Sequence, residues 1–459
     1  MTTPWPTDGY PVVAGGQVAG LAADTDGGLS IQAAVAEVSD ELAGRLPNGP
    51  PGPDVMPRIA AAVRRWAQRR HTAGGPVIPP QMQDMIADAV RHQRYGLGLL
   101  DSYLSDELGT VENVDLIGYD QVWVTYATGE RVRAQPVFAS DTDLIEAVRA
   151  LAARGGSTAR DFTEHHPLVN VSIDRRIRLT ATMDVTPRPC VSLRRHGYTS
   201  IHLARLVELG TLTQALADFL AAAVKARFNI IVTGGANAGK TTLLRALASQ
   251  IPAWEQIATL ETDRELFLED LPDHPIVIAF EQRRPNSEGT GGITLMDLLP
   301  QALRHHTTRI LVGEARTDET VPMIEAMNSG WAGSMCTMHA NSAEAAFDRI
   351  LILALRGGLA MAERAIHLMV GNAVDLIVHI RQHHDGHKTV RRVSEVLEVS
   401  PPGDSERPSI ARIFAADGPG GQAVPRHGPS TGLLERLEAA GFGSQHLGTC
   451  LPLAPGVWP

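Results

Sequence analysis

Residues 228–241 constrain this chain more than any other stretch. They read Phe228-Asn229-Ile230-Ile231-Val232-Thr233, then Gly234-Gly235-Ala236-Asn237-Ala238-Gly239-Lys240-Thr241. The second part fits the pattern G-x-x-x-x-G-K-[ST] in full. The apolar run before it has the character of a buried strand. Leu243, Leu244, Leu247 and Ile251 after it mark the apolar face of a helix, which Pro252 ends. Strand, glycine-rich loop and helix in that order make a phosphate cradle. The glycines let the backbone turn so that successive N–H groups converge on phosphate oxygens, and the helix adds its positive end. Lys240 would bring a compact, mobile charge to the β- and γ-phosphates, and Thr241 a hydroxyl to Mg²⁺. ATP with Mg²⁺ is therefore the expected ligand pair. Its contacts would be Gly234, Gly235, Ala236, Asn237, Ala238, Gly239, Lys240 and Thr241, with Thr242 next to them. Of 41 basic residues only Lys225, Lys240 and Lys388 are lysines, so a lysine at this position carries extra weight.

Charge and composition narrow the partners. The net charge of −10 gives no support to a nucleic-acid partner, which would need a local basic stripe. Arg64, Arg65, Arg69, Arg70 and His71 are the densest basic cluster, and at helical spacing they read as a solvated face. Cys190, Cys336 and Cys450 lie far apart with no CxxC, which argues against structural zinc and disulfides. No run of about 18 uninterrupted apolar residues is present to span a membrane. The opening residues lack the basic and apolar regions of a secretory signal. A cytoplasmic location is the expectation.

Residues 1–55, rich in Gly, Pro, Ala and Asp, read as a flexible tail. Ile31, Val35, Val38 and Leu42 mark one helix within it, and 47–53 form a linker. Residues 56–200 mix helical segments (59–70, 81–104, 141–153) with strand-like pieces (114–117, 121–125, 171–173), an α+β domain. Residues 201–400 alternate helices with short apolar runs at 229–233, 257–261 and 310–314, as parallel strands covered on both faces do. Residues 401–459 hold many Pro and Gly and read as a partly disordered extension with a helix at 433–440.

Two of the apolar runs end in a carboxylate. The stretch Ile310-Leu311-Val312-Gly313-Glu314 would place Glu314 at the C-terminal end of a strand, where a doubly wound sheet opens its ligand crevice. There Glu314 could hold a metal-bound water or orient the attacking one. The run Ile257-Ala258-Thr259-Leu260-Glu261 ends the same way, with Asp263 and Glu265 close behind. One general base and one metal-holding carboxylate is what phosphoryl transfer to water requires.

Together these blocks resemble the type II/type IV secretion ATPase superfamily, most closely its CpaF-type branch, the Tad/Flp pilus-assembly ATPases. The resemblance spans about residues 106–397. Val207-Glu208-Leu209-Gly210-Thr211-Leu212 looks like the entry to that family's ATPase domain. Residues 261–266 look like its Asp box, and Arg283-Arg284-Pro285-Asn286 like its Arg-Pro turn. Val312-Gly313-Glu314-Ala315-Arg316 is similar to its atypical Walker B, and Thr337-Met338-His339-Ala340-Asn341-Ser342 to its His box. The resemblance implies catalytic roles for Glu261, Glu314, Arg316 and His339, which alone would read as a core histidine. It implies that Glu314 joins Thr241 at the metal. It also implies nucleotide contacts from Arg283, and from Arg194 or Arg195 reaching in from the N-terminal domain. Three departures stand out. Thr262 follows Glu261, which moves the aspartate to Asp263, Ala279 replaces an arginine, and Pro300 should kink or displace a helix start.

The implied fold is a RecA-like P-loop ATPase domain preceded by a smaller α+β N-terminal domain. The implied function is a hexameric ring ATPase that powers pilus assembly or protein secretion through an integral inner-membrane platform protein, with no nucleic acid. A conjugation-type type IV secretion ATPase, a nucleotide-binding scaffold with weak hydrolysis and a nucleic-acid motor are the rival readings.

Overall fold

The structure, a computed structural model, describes residues 12–13, 31–46, 54–95, 97–104, 111–154, 161–174, 177–195, 201–274, 276–285, 289–316, 319–356, 361–384, 389–418, 420–443 and 447. Expectations for most of the N-terminal tail, the linker at 47–53, Asn286 and residues 448–459 fall outside these. The chain divides into two compact units, Met1–Gly197 and Tyr198–Pro459.

The first unit opens with β1 (Val12–Val13), α1 (Ile31–Glu41), α2 (Val55–Thr72) and α3 (Pro80–Tyr95), followed by a 3₁₀ turn over Gly98–Leu104. It continues with β2 (Val111–Ile117), β3 (Gln121–Tyr126), β4 (Arg131–Ala134), α4 (Asp141–Arg154), β5 (Leu168–Asp174), β6 (Ile177–Thr182) and β7 (Cys190–Arg195). Among the described residues the strands form one sheet in the order β1-β4-β3-β2-β7-β6-β5, antiparallel except for the β1–β4 pair. The helical pattern at 31–42 does not stand in a loose tail. Ala34, Val35, Val38 and Leu42 share a core with Ile59, Val63 and Trp66 of α2 and with Ile86 and Val90 of α3. An amphipathic helix with a matching apolar face beside it gains more by docking than by remaining mobile. The basic cluster on α2 is met by acids from α1. Glu41 pairs with Arg65 and Arg69, and Glu37 pairs with Arg70 and accepts from Trp66 Nε1 at 2.6 Å.

The second unit begins with α5 (Leu203–Glu208), α6 (Gln214–Lys225), β8 (Ile230–Gly234), α7 (Lys240–Ala248), β9 (Ile257–Glu261), β10 (Val277–Glu281) and α8 (Leu295–Arg304). It goes on through β11 (Arg309–Ala315), α9 (Thr320–Asn328), β12 (Met335–His339), α10 (Ala345–Arg356) and α11 (Glu363–Ala373). The last elements are β13 (Leu376–His384), β14 (Thr389–Ser400), β15 (Ser409–Ala415), β16 (Val424–Pro425) and α12 (Thr431–Ala439). The sheet order is β10-β9-β11-β12-β8-β13-β14-β15-β16 among the described residues. From β10 to β13 every pairing is parallel, and beyond β13 every pairing is antiparallel. Side chains alternate between two cores: Ile230 and Val232 face one with α6 and α7, and Ile231 faces the other with α9, α10 and α11.

Two features of the second unit also differ from the reading of the sequence. The sheet runs on past residue 400 through β15 and β16, and Ile413 and Phe414 are fully buried in the core that holds α6. The Pro and Gly there mark turns between strands, not a boundary. Pro300 neither displaces nor ends its helix. α8 starts at Leu295 under a Thr294–Asp297 capping box, in which each residue's side chain bonds the other's backbone, and it runs through the proline. The cap secures the first turn, so a single missing N–H farther along is tolerated. At the start of β11, Arg309 is fully buried and donates twice to Glu255, at 2.8 and 2.6 Å.

Candidate nucleotide-binding site

Three neighbouring strands in the order β9-β11-β12 lead up to β8, and their C-terminal ends carry Glu261, Glu314, His339 and the Gly-rich loop. Register aligns Leu260 with Val312, and His339 with Gly234. Sequence-distant residues are thereby set in a row at the mouth of the parallel sheet, where such sheets bind ligands.

The loop has the backbone that phosphate binding demands. Asn237 and Gly239 take left-handed conformations, at φ 57° and 95°, and Gly239 caps the N-terminus of α7. Gly235, Ala236 and Asn237 are exposed, Ala238 anchors the turn in the core, and Thr242 is partly exposed. Lys240 is 7 % exposed, and its Nζ donates to the carbonyls of Gly235 and Gly234 at 2.8 and 3.2 Å. The same ammonium lies 3.3 and 3.4 Å from the ring nitrogens of His339. Burial and the Lys240 charge hold the His339 imidazole below its ordinary pKa, against the pull of Glu314.

Glu314 is gripped by Arg316 through two parallel bonds of 2.7 Å, Nε to Oε1 and Nη2 to Oε2. His339 Nε2 lies 3.1 Å from Oε1. Burial raises the carboxyl, but the Arg316 bond and the charges of Arg316, His339 and Lys240 outweigh it, so Glu314 ionises below its usual value. A carboxylate so held is an anion at neutral pH, fit to orient water or a hydrated cation.

Glu261 is of the opposite kind. It is 2 % exposed, and burial lifts its carboxyl to about 7, although Glu265 N and Leu266 N donate to its Oε1 at 2.9 and 3.0 Å. Its side chain fills the space beside Gly313. A Cβ on Gly313 would lie 2.9 Å from Glu261 Cγ and 3.0 Å from Oε1. Glycine before Glu314 is therefore a steric requirement set by the neighbouring strand. Gly313→Ala should cost about 1–3 kcal/mol by overpacking, because the two amides pin Glu261 and prevent it from swinging aside. Thermal melts of the variant read this cost directly, and an unchanged melt would show that Glu261 gives way.

Glu261 also fixes a pH dependence. A carboxyl near 4.5 in the unfolded chain and near 7 in the folded one binds more protons when folded between those values. Its contribution to stability is whole below pH 4.5 and is lost as pH rises through 7, up to about 3 kcal/mol. Relative to Glu261→Gln, the native chain should lose that much stability between pH 4.5 and 7 in denaturant titrations. Parallel pH curves would return the group to its ordinary value.

Other predicted residues are carried by other elements. Arg283 follows β10 and donates from Nε to Gly291 O at 2.6 Å, within its own turn. Arg284 lies 3.6 Å from Asp263, so that aspartate faces the Arg-Pro turn. Ala279 pairs with Thr259 in the middle of β10. Arg194 and Arg195 end β7 in the first unit, and Arg195 Nη1 donates to Leu104 O at 3.3 Å. The sequence assigns no site role to three groups that the fold brings in. Glu265 accepts from Thr241 Oγ1 at 3.3 Å, Arg391 Nε donates to Asn237 O at 3.0 Å, and His379 Nδ1 lies 2.8 Å from Thr233 Oγ1. Glu265 had a signal, its place just behind Glu261. Arg391 and His379 had none, because only pairing of β13 and β14 beside β8 puts them there.

A phosphate loop between β8 and α7, with carboxylates on adjacent parallel strands, defines a RecA-like P-loop domain. The family model described as type II/IV secretion system protein matches residues 133–399, and the chain belongs to that family. A protein of Mycobacterium tuberculosis provisionally named for conjugal transfer is 35 % identical over 310 residues, covering 66 % of this chain and 84 % of the relative. The type IV secretion system protein VirB11 of Brucella abortus is 38 % identical over 182 residues, 39 % of this chain and 49 % of that one. The crystal structure of the VirB11 ATPase from the Brucella suis type IV secretion system aligns with a TM-score of 0.35 at 25 % identity, covering 69 % of this chain and 96 % of that one.

Proposed function

We propose that this chain binds and hydrolyses ATP as one subunit of a ring motor that drives pilus assembly or secretion through an integral membrane platform protein. The observation that carries the reading is the convergence of Lys240, His339, Glu314 and Arg316 within hydrogen-bonding reach, with Glu261 on the next strand. Lys240 and the loop amides hold the phosphates. Glu314, kept ionised by Arg316, orients the attacking water, and His339 links the carboxylate to the lysine. Thr241 would hold Mg²⁺ together with Glu314 and the phosphates, and the ion would neutralise charge that builds on them. Among the described residues no cluster of three or more His, Cys, Asp or Glu side chains could hold a metal alone, which suits an ion bound mainly through the nucleotide. Arg194, Arg195 and Arg283 are proposed as further nucleotide contacts. Among the described residues no helix is long and apolar enough to cross a membrane.

The pilus branch is proposed on the sequence blocks. The names of the relatives, conjugal transfer and type IV secretion, favour a conjugation-type ATPase as the second reading. Phosphate release by the purified chain at several protein concentrations, with and without DNA, tests both. Mg²⁺-dependent turnover that rises more than in proportion to concentration and ignores DNA supports an assembling secretion motor. Stimulation by DNA would reject it, and tight ATP binding without turnover would favour a scaffold.

A further inference from the structure

The helix behind the phosphate loop carries a charge with almost no access to water. Arg245 of α7 is 4 % exposed, between the fully buried Leu244 and Ala246. A guanidinium so placed is tolerated only when its donors are matched. Its Nε donates to Leu266 O at 3.0 Å, its Nη2 donates to Glu265 O, and its Cζ lies 6.0 Å from the centre of the Phe267 ring. Burial lowers its pKa to about 10, so it remains a cation at neutral pH.

The peptide plane between Glu265 and Leu266 is gripped at both ends. Its carbonyl accepts from Arg245 and its N–H donates to Glu261 Oε1. The Glu265 N–H also donates to Glu261, while the Glu265 carboxylate accepts from Thr241 Oγ1. Thr241 lies one helical turn before Arg245 on α7, so both act on the loop from one face of that helix. The next residue, Phe267, is 1 % exposed and left-handed at φ 47°, a conformation that a non-glycine residue keeps only when its surroundings over-determine it.

We propose that Arg245 is a positioning residue for hydrolysis, fixing the Glu265–Leu266 peptide plane so that Glu261 keeps its two backbone bonds and the Glu265 carboxylate stays on Thr241. The proposal rests on the ATPase reading. Arg245 touches no substrate; it acts through the loop. A planar fork can hold two adjacent carbonyls, whereas a lysine ammonium in the same space holds one less well placed. The Arg245 charge also favours the ionised form of Glu261. Without it the Glu261 pKa rises further, and any catalytic step that needs the anion shifts to higher pH.

The test uses the full chain with Arg245→Lys and Arg245→Met. Turnover, ATP affinity by titration with a fluorescent analogue, and the pH profile of kcat are measured for each. Arg245→Met should lose about 10–100-fold in kcat, as supporting residues around a metal or catalytic group do, with affinity nearly unchanged. The acidic limb of its pH profile should move to higher pH, and Arg245→Lys should recover part of the loss. Wild-type kcat in both variants would overturn the proposal. So would a fall in kcat matched by an equal fall in affinity, with lysine no better than methionine. If the methionine variant fails to fold, the lysine variant, which keeps charge and most of the volume, decides by its kcat and pH limb. Failure of the ATPase reading shows in the unmutated chain, as absent binding or turnover, and removes the proposed role with it.

Discussion

Lys240→Ala is expected to weaken ATP binding by about 10- to 100-fold, the worth of charge-assisted bonds to phosphate. Any residual turnover should drop by roughly another 10²–10³, because the lost charge is the one aimed at the transferring phosphoryl group. The fold itself should hold. Nζ rests on two loop carbonyls at the sheet mouth, and the core behind it is built from Ala238, Leu243, Leu244 and Leu247. Equilibrium titration with a fluorescent ATP analogue measures the affinity, phosphate release measures the residual turnover, and circular dichroism checks that the fold holds. Undiminished affinity would remove the loop from nucleotide binding.

Glu314→Gln should separate binding from chemistry. The amide fits the same space and can still accept one bond from Arg316, so ATP should remain bound. The anion that orients water is gone, and turnover should fall by about 10²–10⁴-fold. Because burial opposes ionisation while Arg316, His339 and Lys240 enforce it, the charge of Glu314 depends on its neighbours. Arg316→Ala should therefore reproduce part of the defect. Single-turnover experiments with radiolabelled ATP distinguish slow chemistry from slow product release. Normal phosphate release by Glu314→Gln would take the residue out of catalysis.

What the sequence revealed and what it hid have separate physical causes. The phosphate loop was legible because its function restricts residue type at each of several consecutive positions. The parallel strands at 229–233, 257–261 and 310–314 were legible because burial on both faces leaves an unbroken apolar run. By contrast, β13 and β14 carry His379, Arg391 and Arg392, and their antiparallel pairing is fixed by contacts far apart in the chain. The docking of α1 needed the complementary face of α2, which local periodicity cannot supply. Arg245 did leave a trace, as a charge flanked by the apolar Leu243, Leu244, Ala246 and Leu247. Its meaning required the loop carbonyls. The strain at Phe267 left none, since left-handed backbone is unremarkable in sequence when the residue is not glycine.

The sheet beyond residue 400 bears on how a minimal ATPase fragment can be cut. A chain shortened to end at 400 would strip β15 from β14 and leave the second half of a twelve-residue strand with bare donors and acceptors. It would also remove Phe414 and Phe442, whose rings lie 5.1 and 5.7 Å from that of Phe219 on α6. An unprotected edge next to uncovered aromatic surface invites intermolecular pairing. Such a fragment should collect in the insoluble fraction on expression while the full chain stays in solution. Inactivity of that fragment would then report lost solubility rather than a catalytic part in its missing residues.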